Sequence, residues 1–241
     1  MTYYQHILKS AREKHKLFAV LIDPEKCDSQ KLQQYVVAIN AYHPDFVFVG
    51  GSQMRHSAAD VVATLRNKTN VPIVLFPGNA SQFADNADAI LLLSLISGRN
   101  AEFLIGQHVQ AAKALKASSM EILPTGYILI DGGCECATAK VSHTEPLSAT
   151  NLDLIVSTAL AGVQLGLQLI YLEAGSGAEC PVSKDVIAAV RNEIAVPLIV
   201  GGGIKSHSEM RADYEAGADM VVVGNALEDN PEKLAEFLFY D

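Results

Sequence analysis

Residues 171–177 read Tyr-Leu-Glu-Ala-Gly-Ser-Gly. An apolar run over 169–172 has the look of a short buried strand, and it ends in one carboxylate, Glu173, followed by small residues. Gly175 and Gly177 allow backbone amides to approach a ligand that a Cβ would fend off. A second small-residue turn follows at Gly201-Gly202-Gly203 and a third at Gly224-Asn225, each directly after an apolar run. One such turn is an ordinary strand-to-helix connection. Three in succession, each at the C-terminal end of a strand, point to a phosphate cradle with a single acid in it.

The elements that must position these turns can be read from the hydrophobic pattern. Residues 17–22, Leu-Phe-Ala-Val-Leu-Ile, are continuously apolar, as a strand buried on both faces should be. Pro24 stops this run, so Asp23 sits at the tip. Further strands are expected at 46–49, 71–76, 89–96, about 121–130, 169–172, 197–200 and 220–223. Pro124 lies inside the fifth and should bend it. Helical spacing of apolar residues falls between most of these runs: Leu32, Val36 and Ile39; Val61, Val62 and Leu65; Phe103, Leu104, Val109, Ala112 and Leu115; Ile155, Ala159 and Val163; Val186, Ile187 and Val190. Thr150, Ser183 and Ser206 stand where helix caps are needed, the last in a capping box with Glu209. Only residues 79–88 separate the third strand from the fourth, and a crossover usually needs at least about 10–12 residues. The expectation is a single (β/α)8 TIM barrel over residues 1–241, with the third helix missing or replaced by a non-helical segment. An open doubly wound sheet fits less well, because it calls for a Gly-x-Gly-x-x-Gly turn after the first strand, where this chain has Asp23-Pro24-Glu25-Lys26.

Bulk composition narrows the function. The 241 residues carry a formal charge of −9, with 49 % hydrophobic and 19 % charged side chains. An acidic chain argues against nucleic acid as a partner, and any anionic substrate must be held locally by amides, a few cations or a metal. No apolar run reaches about 18 residues, so no membrane span is expected. The first residues lack a signal-peptide pattern, which makes the cytoplasm the expected location. Cys134-Glu135-Cys136 is too tightly spaced for a usual zinc pair, so reduced, unliganded thiols are expected. The long loop over 131–144 that carries them has no clear period.

The strand tips divide into two groups. Those of strands six to eight offer Tyr171, Glu173, Ser176, Gly202, Gly203, Gly224 and Asn225, which suit a phosphate monoester. Those of strands one and two offer Asp23 and Ser52, a carboxylate and a hydroxyl that fit Mg²⁺ when phosphates and water fill its remaining positions. Two anions facing each other suggest a phosphorylated acceptor and a diphosphate donor, with Glu173 between them.

With these residues in place, the chain resembles the geranylgeranylglyceryl phosphate synthases and the related bacterial heptaprenylglyceryl phosphate synthases. The resemblance is carried by residues 21–26 (Leu-Ile-Asp-Pro-Glu-Lys), 49–52 (Val-Gly-Gly-Ser), 75–78 (Leu-Phe-Pro-Gly), 171–178, 198–204 and 223–225 (Val-Gly-Asn), which follow the family order across almost the whole chain. It implies a Mg²⁺-dependent transfer of a prenyl group from an isoprenoid diphosphate to the C3 hydroxyl of sn-glycerol 1-phosphate. By matching position, Asp23 and Ser52 would serve the metal. Tyr171, Leu172, Glu173, Ala174, Gly175, Ser176, Gly177, Gly202, Gly203, Gly224 and Asn225 would bind glycerol phosphate, with Glu173 and Tyr171 catalytic. It also implies a non-helical third connection and a homo-oligomer, for which the apolar C-terminal Phe237, Leu238, Phe239 and Tyr240 could supply part of an interface. Membrane contact would be peripheral, through the lipid substrate and product. The prenyl tail is expected beside Phe76, Leu93 and Ile96, in space left by the missing helix. The donor implied is geranylgeranyl diphosphate, and three alternatives remain beside this reading. One is a heptaprenylglyceryl phosphate synthase with a longer donor. Another is a different phosphate-handling barrel enzyme, for which Asp131 is the remaining acid at a strand end. The third is a non-catalytic isoprenoid-binding protein.

Overall fold

The apolar runs become eight parallel strands that pair in sequence order and close into a barrel. The structure is a computed structural model and describes residues 1–51 and 58–238. The strands are β1 (Leu17–Ile22), β2 (Phe46–Val49), β3 (Ile73–Leu75), β4 (Ala89–Leu95), β5 (Glu121–Leu129), β6 (Leu169–Glu173), β7 (Leu198–Gly201) and β8 (Met220–Val223). Before β1 runs α1 (Tyr3–Arg12), and after β1 comes α2 (Ser29–Tyr42). They are followed by α3 (Ala58–Arg66), α4 (Gln107–Ala117), α5 (Ala137–Ser142), α6 (Leu152–Gln164), α7 (Lys184–Glu193), α8 (His207–Ala216), α9 (Asn225–Glu228) and α10 (Leu234–Leu238).

Strand alternation sorts the core into two bodies. Side chains such as Phe46, Phe48, Leu91, Leu123, Tyr171 and Ile199 point into the barrel. Their neighbours, among them Val20, Val47, Ile128, Leu172 and Val200, pack outward against the helices. The bottom of the barrel is plugged by α1, whose Ile7 joins the interior cluster. Glu121 at the start of β5 accepts hydrogen bonds from the amides of Tyr3 (2.6 Å) and Tyr4 (2.9 Å) and so seats that helix.

Between β3 and β4 there is a single 3-10 turn, Ala80–Gln82, where a barrel normally carries a helix. The expected replacement of the third helix is therefore observed. Strand three is shorter than expected, because residues 71, 72 and 76 lie outside its ladder.

Pro124 does not bend β5. The β4–β5 register runs unbroken from Ala89↔Glu121 to Leu95↔Tyr127 and includes Leu92↔Pro124. The Pro124 carbonyl accepts from Gln168 N (2.9 Å), so its missing donor faces the β6 side, where pairing begins only at Thr125↔Leu169. No ladder bond is lost there.

The helix expected along Phe103, Leu104, Val109, Ala112 and Leu115 is a π-turn at Glu102–Gly106 followed by α4. The wider turn rotates the inward face, so Leu104, Ala111 and Leu115 pack on the core while Val109 is 68 % exposed. Ala112 is exposed as well. The 131–144 loop is not aperiodic, since it holds α5, whose N-cap is the Cys136 sulfur accepting from Ala139 N (3.5 Å). The cap of α6 is Asn151, not Thr150. Asn151 has the side-chain oxygen in place to accept from Leu154 N (3.2 Å), while the Thr150 hydroxyl is engaged with Ser148. Ser183 and the Ser206–Glu209 box cap their helices as expected. At the C-terminus Phe237 is buried and stacks on Phe18, with ring centroids 5.8 Å apart. Phe239 and Tyr240 lie outside the described residues.

Candidate active site

The C-terminal ends of the strands surround a cavity of about 610 Å³. Asp23 reaches it from the end of β1, Tyr127 from β5, Tyr171 and Glu173 from β6, Gly202 and Gly203 from the β7 turn, and Gly224 and Asn225 from the β8 turn. Parallel register sets the central group, placing Tyr127 beside Tyr171 and Leu129 beside Glu173. Alternation then turns Tyr127, Tyr171 and Glu173 inward together.

Glu173 is 6 % exposed. Its Oε1 accepts from Gly175 N (2.8 Å), and the phenols of Tyr171 and Tyr127 face the same cavity beside it. Burial pushes its pKa up to about 7, and these three donors hold it back from rising further. The two tyrosine rings lie 5.3 Å apart, and Phe76 packs 5.4 Å from Tyr171. Burial, reinforced by the Glu173 charge, drives both phenols well above their ordinary value, so they stay protonated donors. The site is thus a buried carboxylate beside neutral donors, poised to exchange a proton near neutral pH.

Small residues keep the cavity open. Gly202 has φ +84°, and a Cβ there would collide with Glu173 Oε1. A Cβ on Gly201 would collide with the Tyr171 hydroxyl. The Ser176 hydroxyl donates to Asn225 Oδ1 (3.0 Å) and ties the β6 and β8 turns together. The amides of Gly177, Gly203 and Asn225 have no acceptor among the described residues, which leaves donors for an anion at this side of the mouth. Lys205 stands nearby, with Nζ 3.3 Å from the Glu179 carbonyl.

On the opposite side Asp23 Oδ1 accepts from Glu25 N (3.0 Å), starting the 3-10 turn at Pro24–Lys26. Burial raises the Asp23 pKa, opposed by that amide and by Lys26. Gly51 lies against this carboxylate, and a Cβ there would come within 3.0 Å of its oxygens. Lys26 pairs with Glu228 at the rim (2.8 Å). Ser52, the hydroxyl expected beside Asp23, lies outside the described residues. Among the described residues no group of three or more His, Cys, Asp or Glu side chains could hold a metal ion unaided.

A narrow apolar slot of about 90 Å³ opens beside the polar cavity. Gly51, Phe76, Tyr127 and Thr138 line both spaces. The slot runs between β4 and α4, past Leu93, Phe103 and Ala111 toward Leu115, over the side where the third helix is lacking. Of the three residues expected to mark it, Phe76 and Leu93 do. Ile96 does not, because it points outward, into the space left by Gly126 and Gly162.

Several expected site residues fall elsewhere. Leu172 is buried against the helix layer, and Ala174 and Gly175 serve the turn without lining the cavity. Asp131 is exposed and accepts from Gly133 N (3.0 Å), apart from the cavity. Tyr127 and Thr138 were missed. Tyr127 could have been found by extending the inward alternation of the fifth strand to its tip, whereas nothing in the sequence places Thr138.

The comparisons agree with this geometry. The PcrB family model matches residues 9–239. A geranylgeranylglyceryl phosphate synthase of Spirosoma linguale is 51 % identical over 222 residues, 92 % of this chain and 89 % of that one. Its counterpart from Zunongwangia profunda is 48 % identical over 231 residues, 94 % of this chain and 97 % of that one. The crystal structure of (S)-3-O-geranylgeranylglyceryl phosphate synthase from Thermoplasma acidophilum, in complex with sn-glycerol-1-phosphate, superposes with a TM-score of 0.92 at 31 % identity, covering 98 % of this chain and 96 % of that one. With the family model spanning nearly the whole barrel, and relatives this similar over most of its length, the chain belongs to the PcrB family.

Proposed function

We propose that this protein is a prenyltransferase that joins the geranylgeranyl group of geranylgeranyl diphosphate to the C3 hydroxyl of sn-glycerol 1-phosphate. The observation that carries the reading is the junction at Phe76 and Tyr127. A polar cavity that holds Glu173, with amide donors on one side and a carboxylate on the other, meets an apolar slot there. The names of the two relatives described above support the same activity.

The glycerol phosphate monoester would bind the amides of Gly177, Gly203 and Asn225. The diphosphate would lie toward Asp23, and the tail would enter the slot past Phe76. The C3 oxygen attacks the allylic carbon, the bond from that carbon to the diphosphate oxygen breaks, and inorganic diphosphate leaves with the bonding pair. Glu173 takes the hydroxyl proton, and Tyr171 orients the carboxylate. Among the described residues one Asp23 carboxylate oxygen accepts no backbone amide, and the neighbouring Gly51 leaves room beside it. That donor set fits Mg²⁺, which binds through one or two carboxylates when phosphates complete its shell. When bound, the ion would supply neutralisation of the diphosphate charge.

We also read the protein as cytoplasmic, a homo-oligomer, and in contact with membranes only through its lipid substrate and product. No helix among the described residues is long and apolar enough to cross a membrane. Ile105 and Val109, one helical turn apart, are 58 % and 68 % exposed, which suits a contact between copies.

The test is incubation with labelled geranylgeranyl diphosphate and sn-glycerol 1-phosphate, with and without EDTA. An EDTA-sensitive prenyl ether is expected. Binding of the diphosphate without any ether would instead indicate a non-catalytic isoprenoid-binding protein.

A further inference from the structure

Helix α5 arises from a loop to which the proposed reaction assigns no role, yet it stands over the junction of the two spaces. Ala137, Thr138 and Lys140 line the polar cavity, and Thr138 and Val141 line the apolar slot. Residues three apart share a helix face. The 137–140 edge of α5 therefore belongs to the cavity and the 138–141 edge to the slot. Lys140 thereby brings a cation to the junction. Two other lysines of the cavity stand elsewhere: Lys26 beside Asp23, paired with Glu228 at 2.8 Å, and Lys205 with Nζ 3.3 Å from the Glu179 carbonyl.

A donor whose tail fills the slot must leave its charged head where the slot opens. The residues shared at that opening include Gly51, where an added Cβ would meet the Asp23 carboxylate at 3.0 Å, and Thr138, two residues before Lys140. The head thus comes to rest beside Asp23 and α5. Asp23, Glu25, Glu135, Glu173 and Glu228 all line the cavity, so an incoming anion meets more carboxylates than lysines. It gains most from a lysine that can be released to it.

Lys140 is such a lysine. Its Nζ lies 2.9 Å from Glu135 Oε2, and the two side chains are 57 % and 72 % exposed. A pair this exposed contributes little to stability and is exchanged at small cost. We propose that Lys140 binds the diphosphate of the prenyl donor at the slot opening, and that Glu135 occupies Lys140 until the donor displaces it. This rests on the reading of the donor as a prenyl diphosphate. In the exchange a diphosphate oxygen replaces the Glu135 oxygen as acceptor of the ammonium hydrogens, and it carries the greater charge. The contact strengthens as the allylic bond breaks and negative charge gathers on the departing diphosphate.

The test titrates inorganic diphosphate, at fixed Mg²⁺, into the parent protein, Lys140→Ala, Lys140→Arg, Glu135→Gln and the double variant Glu135→Gln/Lys140→Ala. The KM values for geranylgeranyl diphosphate and sn-glycerol 1-phosphate are measured in parallel. Lys140→Ala should weaken diphosphate binding by about tenfold, the worth of one charge-assisted hydrogen bond at an exposed site. The KM for the donor should rise by a similar factor, with that for glycerol phosphate unchanged, and Lys140→Arg should recover most of the loss. Glu135→Gln should tighten diphosphate binding by about threefold, and the gain should vanish in the double variant. Unchanged diphosphate affinity in Lys140→Ala would overturn the proposal, as would an equal loss for glycerol phosphate. A gain in Glu135→Gln that survives without Lys140 would overturn the exchange. Should the parent protein form no prenyl ether, the transferase reading fails by itself, and the diphosphate titrations still decide the role of Lys140.

Discussion

The two ends of the barrel use the same kind of side chain for opposite purposes. At the bottom, Asp45, Asp88 and Asp219 each accept a backbone amide at or next to a strand start, Phe18, Ile73 and Leu198 in turn, at 2.8 Å. Glu121 does the same for α1. Asp88 and Asp219 also pair with Arg66 and Arg191. At the top, Glu173 is ion-paired with no cation among the described residues and faces a cavity lined in part by glycines. Acids spent on amides and arginines hold the frame. An acid given only neutral donors is left able to change its charge. What marks function is therefore the shortage of charge compensation beside open space, more than burial itself. Asp213 makes the point from the other side. It is buried between helices with its Oδ2 unpartnered, and burial drives its pKa up to about 7, yet it borders neither cavity.

The largest effect should come at the top. Glu173→Gln is expected to lower kcat by about 10²–10⁴-fold while leaving the fold intact, read by steady-state kinetics and circular dichroism. Retained activity would erase the contrast between the two ends. At the bottom, Asp219→Ala should leave kcat per folded molecule unchanged but cost about 3 kcal/mol, because Arg191 then loses its only carboxylate partner among the described residues. Urea unfolding measures this. A loss of turnover without a loss of stability would count against a purely structural bottom.

A third test uses pH. The folded Glu173 pKa of about 7 lies above its ordinary 4.5, so between these values the folded state binds more protons than the unfolded one. Its contribution to stability is then most favourable below 4.5, falls as pH rises, and levels off above about 7. Glu173→Gln should be more stable than the parent at pH 8 by on the order of 3 kcal/mol, with little difference at pH 4.5. The smallest effect concerns the slot. Ala111→Trp should shift preference toward shorter prenyl donors by about tenfold, and unchanged preference would remove the slot from the tail's path.

Much of this arrangement was legible beforehand for a physical reason. Strands buried on both faces must be continuously apolar, so β1 and β2 could be bounded to the residue. The ten residues at 79–88 have no room for a helix and its loops, so the defect could be counted. Glu173 stood out because it closes an apolar run and opens a glycine turn. What escaped depended on geometry that spacing does not encode. A π-turn at Glu102–Gly106 rotated the next helix by adding a residue to one turn, which moved Val109 and Ala112 outward. Pro124 was harmless because its donorless side meets β6 before that strand begins. Thr138 joined the site through a loop helix with no sequence periodicity long enough to announce it.

The central claim is that Glu173 acts on the reaction and not on binding. The most direct measurement is a single-turnover experiment with Glu173→Gln, saturated with Mg²⁺, geranylgeranyl diphosphate and sn-glycerol 1-phosphate, alongside equilibrium binding of each substrate. Binding within a few-fold of the parent with ether formation slowed at least about a hundredfold is the expected result. Ether formation at the parental rate, or loss of glycerol phosphate binding as the sole defect, would contradict it.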